Sequence, residues 1–473
     1  MIERCLMPGF VGTEPPDWVR RHVAEGLGSV CLYGRNVVSP EQLSRLCDAL
    51  HAENPQLVIA IDEEGGDVTR LEAATGSSYP GNLALGSVGD ANLTRSVARA
   101  IGLELAHAGV DLDLAPVADV NSNPANPVIG VRSFGSDPAL VAQQTAAWVE
   151  GIQGAGVGAC VKHFPGHGDT SVDSHLALPI AAEDPHAGAL RPFEAGIAAG
   201  ACAVMSAHIV VPGLDDVPGT ISPAVMTALL RAELGFDGLA VSDGLEMRAI
   251  SDGVGIVEGA VRALAAGCDL LCIGGGLADE EIVVRLQEAI AGAAGAGRIS
   301  EERLMEAGSR IASFAAWRAN QPAPQAAPDR QAGMRAARLA VRASGEVQVG
   351  DSVLAIKLLA GRSIAAGAVP WGVEGPLAAR GVTVSGHEFA ESPPNLDRLL
   401  DEAKDRSLVL TVRDLHRHRW QAEVADAVLA SRPDTVVVEM GLPACRPGGA
   451  TAYIATMGAA RVCGLAAAEV MRP

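Results

Sequence analysis

From its start to about residue 320, the chain alternates short apolar runs, rich in β-branched residues, with longer stretches where Ala, Leu and Arg recur at helical spacing. βα units around a parallel sheet read this way. Their strands are buried on both faces and nearly continuously apolar, while the covering helices are apolar on one side. The pattern predicts strands near 4–10, 29–34, 57–62, 111–116, 156–163, 202–208, 239–243 and 269–274. About eight such units in roughly 300 residues suit a closed (β/α)8 barrel better than an open sheet. Several of the strands finish on a polar residue: Asp62, His163, His208 and Asp243. Side chains at the C-terminal ends of parallel barrel strands converge on one face, so these four are the first candidates for a site.

The stretch Asn320-Gln321-Pro322-Ala323-Pro324-Gln325-Ala326-Ala327-Pro328-Asp329 has no apolar period and reads as a linker. The alternation then resumes on a smaller scale. It predicts strands at 353–358, 382–385, 408–412 and 435–439, and helices near 395–404 and 420–430. The expected organisation is an α/β chain: a barrel over 1–318, a linker over 319–330, and a smaller doubly wound α/β domain over 331–473. Residues 441–449 are rich in Gly and Pro but lack the spacing of a phosphate-binding fingerprint. The run Arg413-Asp414-Leu415-His416-Arg417-His418-Arg419 is expected to be a solvated loop.

Composition narrows the function. With 473 residues, 48% of them hydrophobic and 19% charged, the chain has material for more than one folded core. A formal net charge of −20 argues against nucleic acid or an anionic membrane surface as partner. The nine cysteines are odd in number, scattered and mostly inside apolar runs, which points to buried free thiols. Cys268 and Cys272 stand four apart with no second pair near them, so no metal and no cofactor are expected. The N-terminal residues lack a basic stretch followed by a long apolar one, and no apolar run reaches membrane-spanning length. A cytoplasmic protein is the expectation.

Five segments gather polar residues where strands should end. They are Asp62-Glu63-Glu64-Gly65-Gly66-Asp67-Val68-Thr69-Arg70, Asp111 to Val120, Val131-Arg132-Ser133-Phe134-Gly135, Lys162 to His175, and Ser242-Asp243-Gly244-Leu245-Glu246. The fourth is the densest. His163, His167, His175, Asp169 and Asp173 crowd a loop punctuated by Gly166 and Gly168, and the chain spends one of its three lysines there, Lys162. A surface loop with incidental histidines and a zinc site are the competing readings, though the spacing matches no standard zinc motif.

Together these segments resemble the family 3 glycoside hydrolases, in particular their β-N-acetylglucosaminidase branch. The core of the resemblance is Lys162-His163-Phe164-Pro165-Gly166-His167-Gly168 followed by Asp173-Ser174-His175. It runs through essentially the whole first domain. It implies that Asp243 is the catalytic nucleophile and that Asp173 and His175 supply the general acid/base. It also implies that Asp62, Arg132, Lys162 and His163 bind the sugar. His208, at a strand end on the same face, is read as a further substrate ligand. The implied activity is retaining exo-hydrolysis of terminal β-linked N-acetylglucosamine from a small saccharide. Phosphorolysis, β-glucosidase activity on the same fold, and non-catalytic sugar binding are the alternatives.

The residue types suit that chemistry. Retention needs a carboxylate to attack the anomeric carbon and a proton donor for the leaving oxygen. An imidazole is poised to move a proton near neutral pH, and an adjacent carboxylate can fix its tautomer. Only 3% of the chain is aromatic, which favours a pocket for one sugar over a long stacking groove. Three features depart from the family pattern. Glu63 and Asp67 are acidic where Gln and Arg are common, which predicts that an anionic aglycone is repelled. Gly244 follows the nucleophile where a second Asp is common. Residues 331–473 carry no motif of the family.

Overall fold

The computed structural model describes every residue except Met1, Arg362 and Pro394. The chain divides into two units. The first comprises Met1–Glu64, Thr94–Ile129 and Gly135–Asp329; the second comprises Gly65–Leu93, Gly130–Phe134 and Arg330–Pro473. This division differs from a single cut at 319–330, because two segments from the first part of the sequence pack with the second unit.

In the first unit eight short strands follow the apolar runs: β1 (Leu6–Pro8), β2 (Ser29–Leu32), β3 (Val58–Ile61), β4 (Leu112–Asp113), β5 (Gly158–Phe164), β6 (Ala203–Ser206), β7 (Leu239–Val241) and β8 (Leu271–Ile273). All are fully buried, as both-face burial of a parallel sheet requires. β2 to β7 form one curled parallel sheet in sequence order, and β8 pairs with β1 in a separate two-stranded sheet. A bridge from Val241 to Leu270 links the end of β7 to the start of β8. The continuous ladder is therefore six strands long rather than the closed ring of eight that the sequence predicts. Between β1 and β2 the contacts are isolated ones, such as Ser29 Oγ donating to the Leu6 carbonyl at 3.1 Å. One row of side chains from these strands fills the interior, including Met7, Cys31, Ala60, Leu112, Cys160, Met205, Val241 and Cys272. Three of the cysteines thus line this interior; seven of the nine are buried, all nine are free thiols, and Cys445 is exposed.

Carboxylates at strand beginnings serve this packing. Asp111, just before β4, takes Arg318 at 2.9 Å and the Ile59 N–H at 2.8 Å. Asp269, just before β8 and fully buried, takes Arg231 at 2.6 Å and is also bonded by Arg303. Carboxylates at strand ends are the ones left for chemistry.

The second unit holds a sheet in the order β11 (Thr383–Phe389), β10 (Ser352–Leu358), β12 (Ser407–Val412), β13 (Val436–Glu439), β14 (Ala452–Ala455) and β9 (Arg342–Ser344). Its pairings are parallel except that of β9 with β14. β9 and β14 are absent from the sequence-based expectation. β9 is a fully exposed Arg-Ala-Ser triplet with no apolar signal. The Arg413–Arg419 run corrects a second expectation. Arg413 is largely buried and bonded to Asp67, and the other members except Arg419 are half-buried or buried. Asp67 also accepts the Ala459 N–H at 2.8 Å. Among the described residues no helix is long and apolar enough to cross a membrane.

Candidate active site

The end of β3 and the middle of β5 place an ion triad in the first unit. Lys162 lies on β5 with its side chain 2% exposed, and its Nζ donates to Asp62 Oδ1 at 2.6 Å and to Glu64 Oε1 at 2.8 Å. A buried ammonium requires such partners, since desolvation otherwise costs several kcal/mol. Beside it, Asp113 at the end of β4 is fully buried and accepts the Glu63 N–H at 3.0 Å. Burial pushes the Asp113 carboxyl well above the usual carboxylate range, and Lys162 only partly offsets that.

Next along the sheet, Asp119 organises the histidines that follow β5's lysine. Its Oδ2 accepts from His163 Nδ1 at 2.7 Å and its Oδ1 from the His167 backbone N–H at 2.6 Å. Burial would raise the Asp119 carboxyl, but the two histidines outweigh it and hold it below its ordinary value. With Nδ1 committed to a carboxylate, the His163 ring has a fixed tautomer and orientation.

Asp243 lies two residues beyond the end of β7 and is half-buried. Burial alone would favour its neutral form. The imidazoles of His208, His163 and His175, with the Gly244 N–H at 2.8 Å on Oδ1, reverse this and bring the carboxyl down to about 2. Among the described residues Oδ2 accepts no protein hydrogen bond. The group is an ionised carboxylate at a strand end ringed by imidazoles. His208, after β6, is fully buried; its Nε2 donates to the Gly244 carbonyl at 2.9 Å and its Nδ1 meets the Thr220 hydroxyl at 2.7 Å. Both ring nitrogens are thus taken by the protein, and His208 reaches the site through Gly244.

The loop after β5 carries Asp173 and His175. His175 Nδ1 lies 2.7 Å from Asp173 Oδ1, which also accepts the His175 backbone N–H at 2.9 Å. Asp173 is held below its ordinary value: burial raises it, and its bonds to His175 outweigh that. Both side chains keep some exposure, 23% for His175 and 13% for Asp173.

Gly274-Gly275-Gly276 after β8 could cradle a phosphate, but their N–H groups all point at Glu246 Oε1, at 3.1 Å from Gly274 and 3.3 Å from Gly276, with Gly275 also bonded. An internal carboxylate occupies the anion nest. Glu63 and Asp67 are not exposed charges, being 2% and 8% accessible, and Asp67 is neutralised by Arg413. Arg132 groups with the second unit, where it is buried and its carbonyl accepts from Asn82 Nδ2 at 2.7 Å. Glu64, Asp113, Asp119 and His167 all lie inside the polar segments of the sequence, yet sequence reasoning assigns none of them a role.

Residues 13–314 match the sequence profile described as the glycosyl hydrolase family 3 N-terminal domain. Beta-hexosaminidase A of Pseudoalteromonas piscicida is 35% identical over 337 residues, which cover 64% of this chain and 55% of that protein. The chain thus spans little more than half of that relative's length. The beta-hexosaminidase of Thiobacillus denitrificans is 38% identical over 288 residues, covering 58% of this chain and 80% of that one. A solved family 3 beta-N-acetylglucosaminidase from Paenibacillus sp. str. FPU-7 superposes with a TM-score of 0.89 at 33% identity, covering all of this chain and 95% of that structure. The profile match takes in well over half of the sequence, and the protein belongs to glycosyl hydrolase family 3.

Proposed function

We propose that the protein is a retaining exo-β-N-acetylglucosaminidase acting on small saccharides. The observation that carries this reading is the 2.7 Å Asp173–His175 bond on the loop after β5, together with the ionised Asp243 after β7. In the first step an Asp243 oxygen attacks the anomeric carbon. The glycosidic bond breaks, its electrons go to the leaving oxygen, and that oxygen takes a proton from His175 Nε2, the ring nitrogen not bonded to Asp173. In the second step His175 takes a proton from water, the hydroxide oxygen attacks the same carbon, and Asp243 leaves as carboxylate. Asp173 fixes the imidazole tautomer and favours the imidazolium.

Asp62, Lys162 and His163 are read as ligands of the sugar hydroxyls, and Arg132 keeps the sugar-binding role implied by its sequence alone. His208 orients Gly244 and so Asp243. We read the curled sheet with its β1–β8 pair as a (β/α)8-type barrel, and the second unit as a doubly wound domain without a catalytic group. The specificity is supported by the names of the relatives, a hexosaminidase and a β-N-acetylglucosaminidase among them. Water is the preferred acceptor, because the glycine nest after β8 already holds Glu246.

The test is release of p-nitrophenol from its β-N-acetylglucosaminide and its β-glucoside, with and without phosphate. Turnover of the first with free N-acetylglucosamine as product is expected. Turnover of the glucoside alone, or a majority of sugar 1-phosphate, would overturn the reading.

A further inference from the structure

The loop that carries Asp173 and His175 buries little. Ser171, Val172, Leu176, Ala177 and Leu178 are exposed, and the two reacting side chains are half-buried. Its ends are stapled: Asp169 Oδ2 accepts the N–H groups of Ala182 at 2.7 Å and Glu183 at 2.8 Å, and Asn123 Nδ2 donates to the Thr170 carbonyl at 3.1 Å. Ser174, midway between the reacting pair, is 2% exposed and is held twice. Its Oγ lies 3.2 Å from His167 Nε2, and its carbonyl accepts the Ala249 N–H at 3.2 Å.

The direction of the first bond follows from a count of hydrogens. The Thr170 hydroxyl donates its one hydrogen to the His167 carbonyl at 3.0 Å. Its oxygen then accepts from Asn126 Nδ2 at 3.3 Å and from His167 Nδ1 at 2.7 Å. The His167 proton therefore sits on Nδ1, and Nε2 is an acceptor for the Ser174 hydroxyl. Burial supports this by pushing the imidazole down to about 4, against the pull of Asp119 and Asp243, so the ring is neutral near pH 7. His167 is itself fixed through its backbone N–H on Asp119, the carboxylate that also holds His163.

We propose that the His167–Ser174 hydrogen bond is a latch that sets the Asp173–His175 pair in its proton-transfer position, which makes both residues positioning residues of the acid/base step. The inference rests on the retaining mechanism proposed above. Proton transfer is steeply sensitive to placement, and a loop with so little buried apolar surface depends on such point attachments.

The test compares Ser174→Ala with wild type and with His175→Ala on two substrates, the phenyl and the 2,4-dinitrophenyl β-N-acetylglucosaminides. Phenol is a poor leaving group that needs a proton, and dinitrophenol is a good one that does not. The ratio of kcat/KM on the two cancels any loss of folded protein. Ser174→Ala is expected to lose about tenfold on the phenyl substrate, the worth of one good hydrogen bond, and under about twofold on the other. His175→Ala should show the same split, enlarged. Equal losses, or none, for Ser174→Ala beside a split for His175→Ala would overturn the latch and leave the mechanism standing. No split for His175→Ala would overturn the acid/base reading and the latch with it.

Discussion

His167 and Asp243 show how single residues are tuned by opposed forces. Burial drives His167 from 6.5 to about 4, whereas Asp243 falls from 3.8 to about 2 because imidazoles outweigh burial. Between pH 6.5 and about 4 the unfolded chain binds a proton at His167 that the folded one refuses, so stability is lost as pH falls through that window. The Asp243 contribution is present above its unfolded value of 3.8 and is lost as pH falls toward about 2. His208, also lowered by burial, acts in the same direction as His167. His167→Gln should therefore flatten the decline of the unfolding free energy, read from urea titrations, on acidification from pH 6.5 to 4, by up to ~3 kcal/mol. A slope as steep as wild type would contradict the assignment. At this scale much was legible: Asp62, His163 and Asp243 stand at or near strand ends, where the apolar pattern placed them. Their partners were not. Nothing local to Asp119 says which two histidine donors it will meet, because that depends on how the residues after β4 fold against the loop after β5.

At the scale of elements, the glycine run after β8 shows why composition misleads. Its N–H groups form an anion nest, and the nest is filled from within by Glu246, thirty residues upstream of Gly276. Glu246→Ala should cost about 1 kcal/mol, since water can replace the lost acceptor at exposed Gly275 and Gly276. Inorganic phosphate should then raise the thermal midpoint of the variant more than that of wild type. A variant with unchanged stability and no response to phosphate would show that the contact is idle. The strands of the first unit were legible because both-face burial leaves continuous apolar runs. Ladder continuity was not, because the pairing of β1 with β8, apart from the other six strands, carries no signal in the sequence. β9 was invisible for a related reason: an exposed edge strand needs no apolar residue.

For the whole molecule the lesson lies in Asp67 and Arg413. Seen locally, one is an acidic departure in a glycine-rich segment and the other opens a run of charges. In the second unit they form a largely buried ion pair across 346 positions of sequence, with the Arg413 guanidinium also 5.9 Å from the Trp371 ring centroid. Removing one member of such a pair strands the other's charge. Arg413→Ala should cost about 3 kcal/mol or more, and adding Asp67→Asn should recover part of that loss. Additive costs in a denaturant-based double-mutant cycle would contradict the coupling. No composition argument reaches this contact, because it exists only once Gly65–Leu93 has packed with residues after Arg330.

In the proposed mechanism Asp243 is the group that bonds to the sugar. A 5-fluoro N-acetylglucosaminyl inactivator, followed by digestion and mass mapping, tests it most directly. One covalently attached sugar per chain, on Asp243, is expected, with activity lost in step with labelling. A sugar carried by any other residue, or complete inactivation without a covalent adduct, would contradict it.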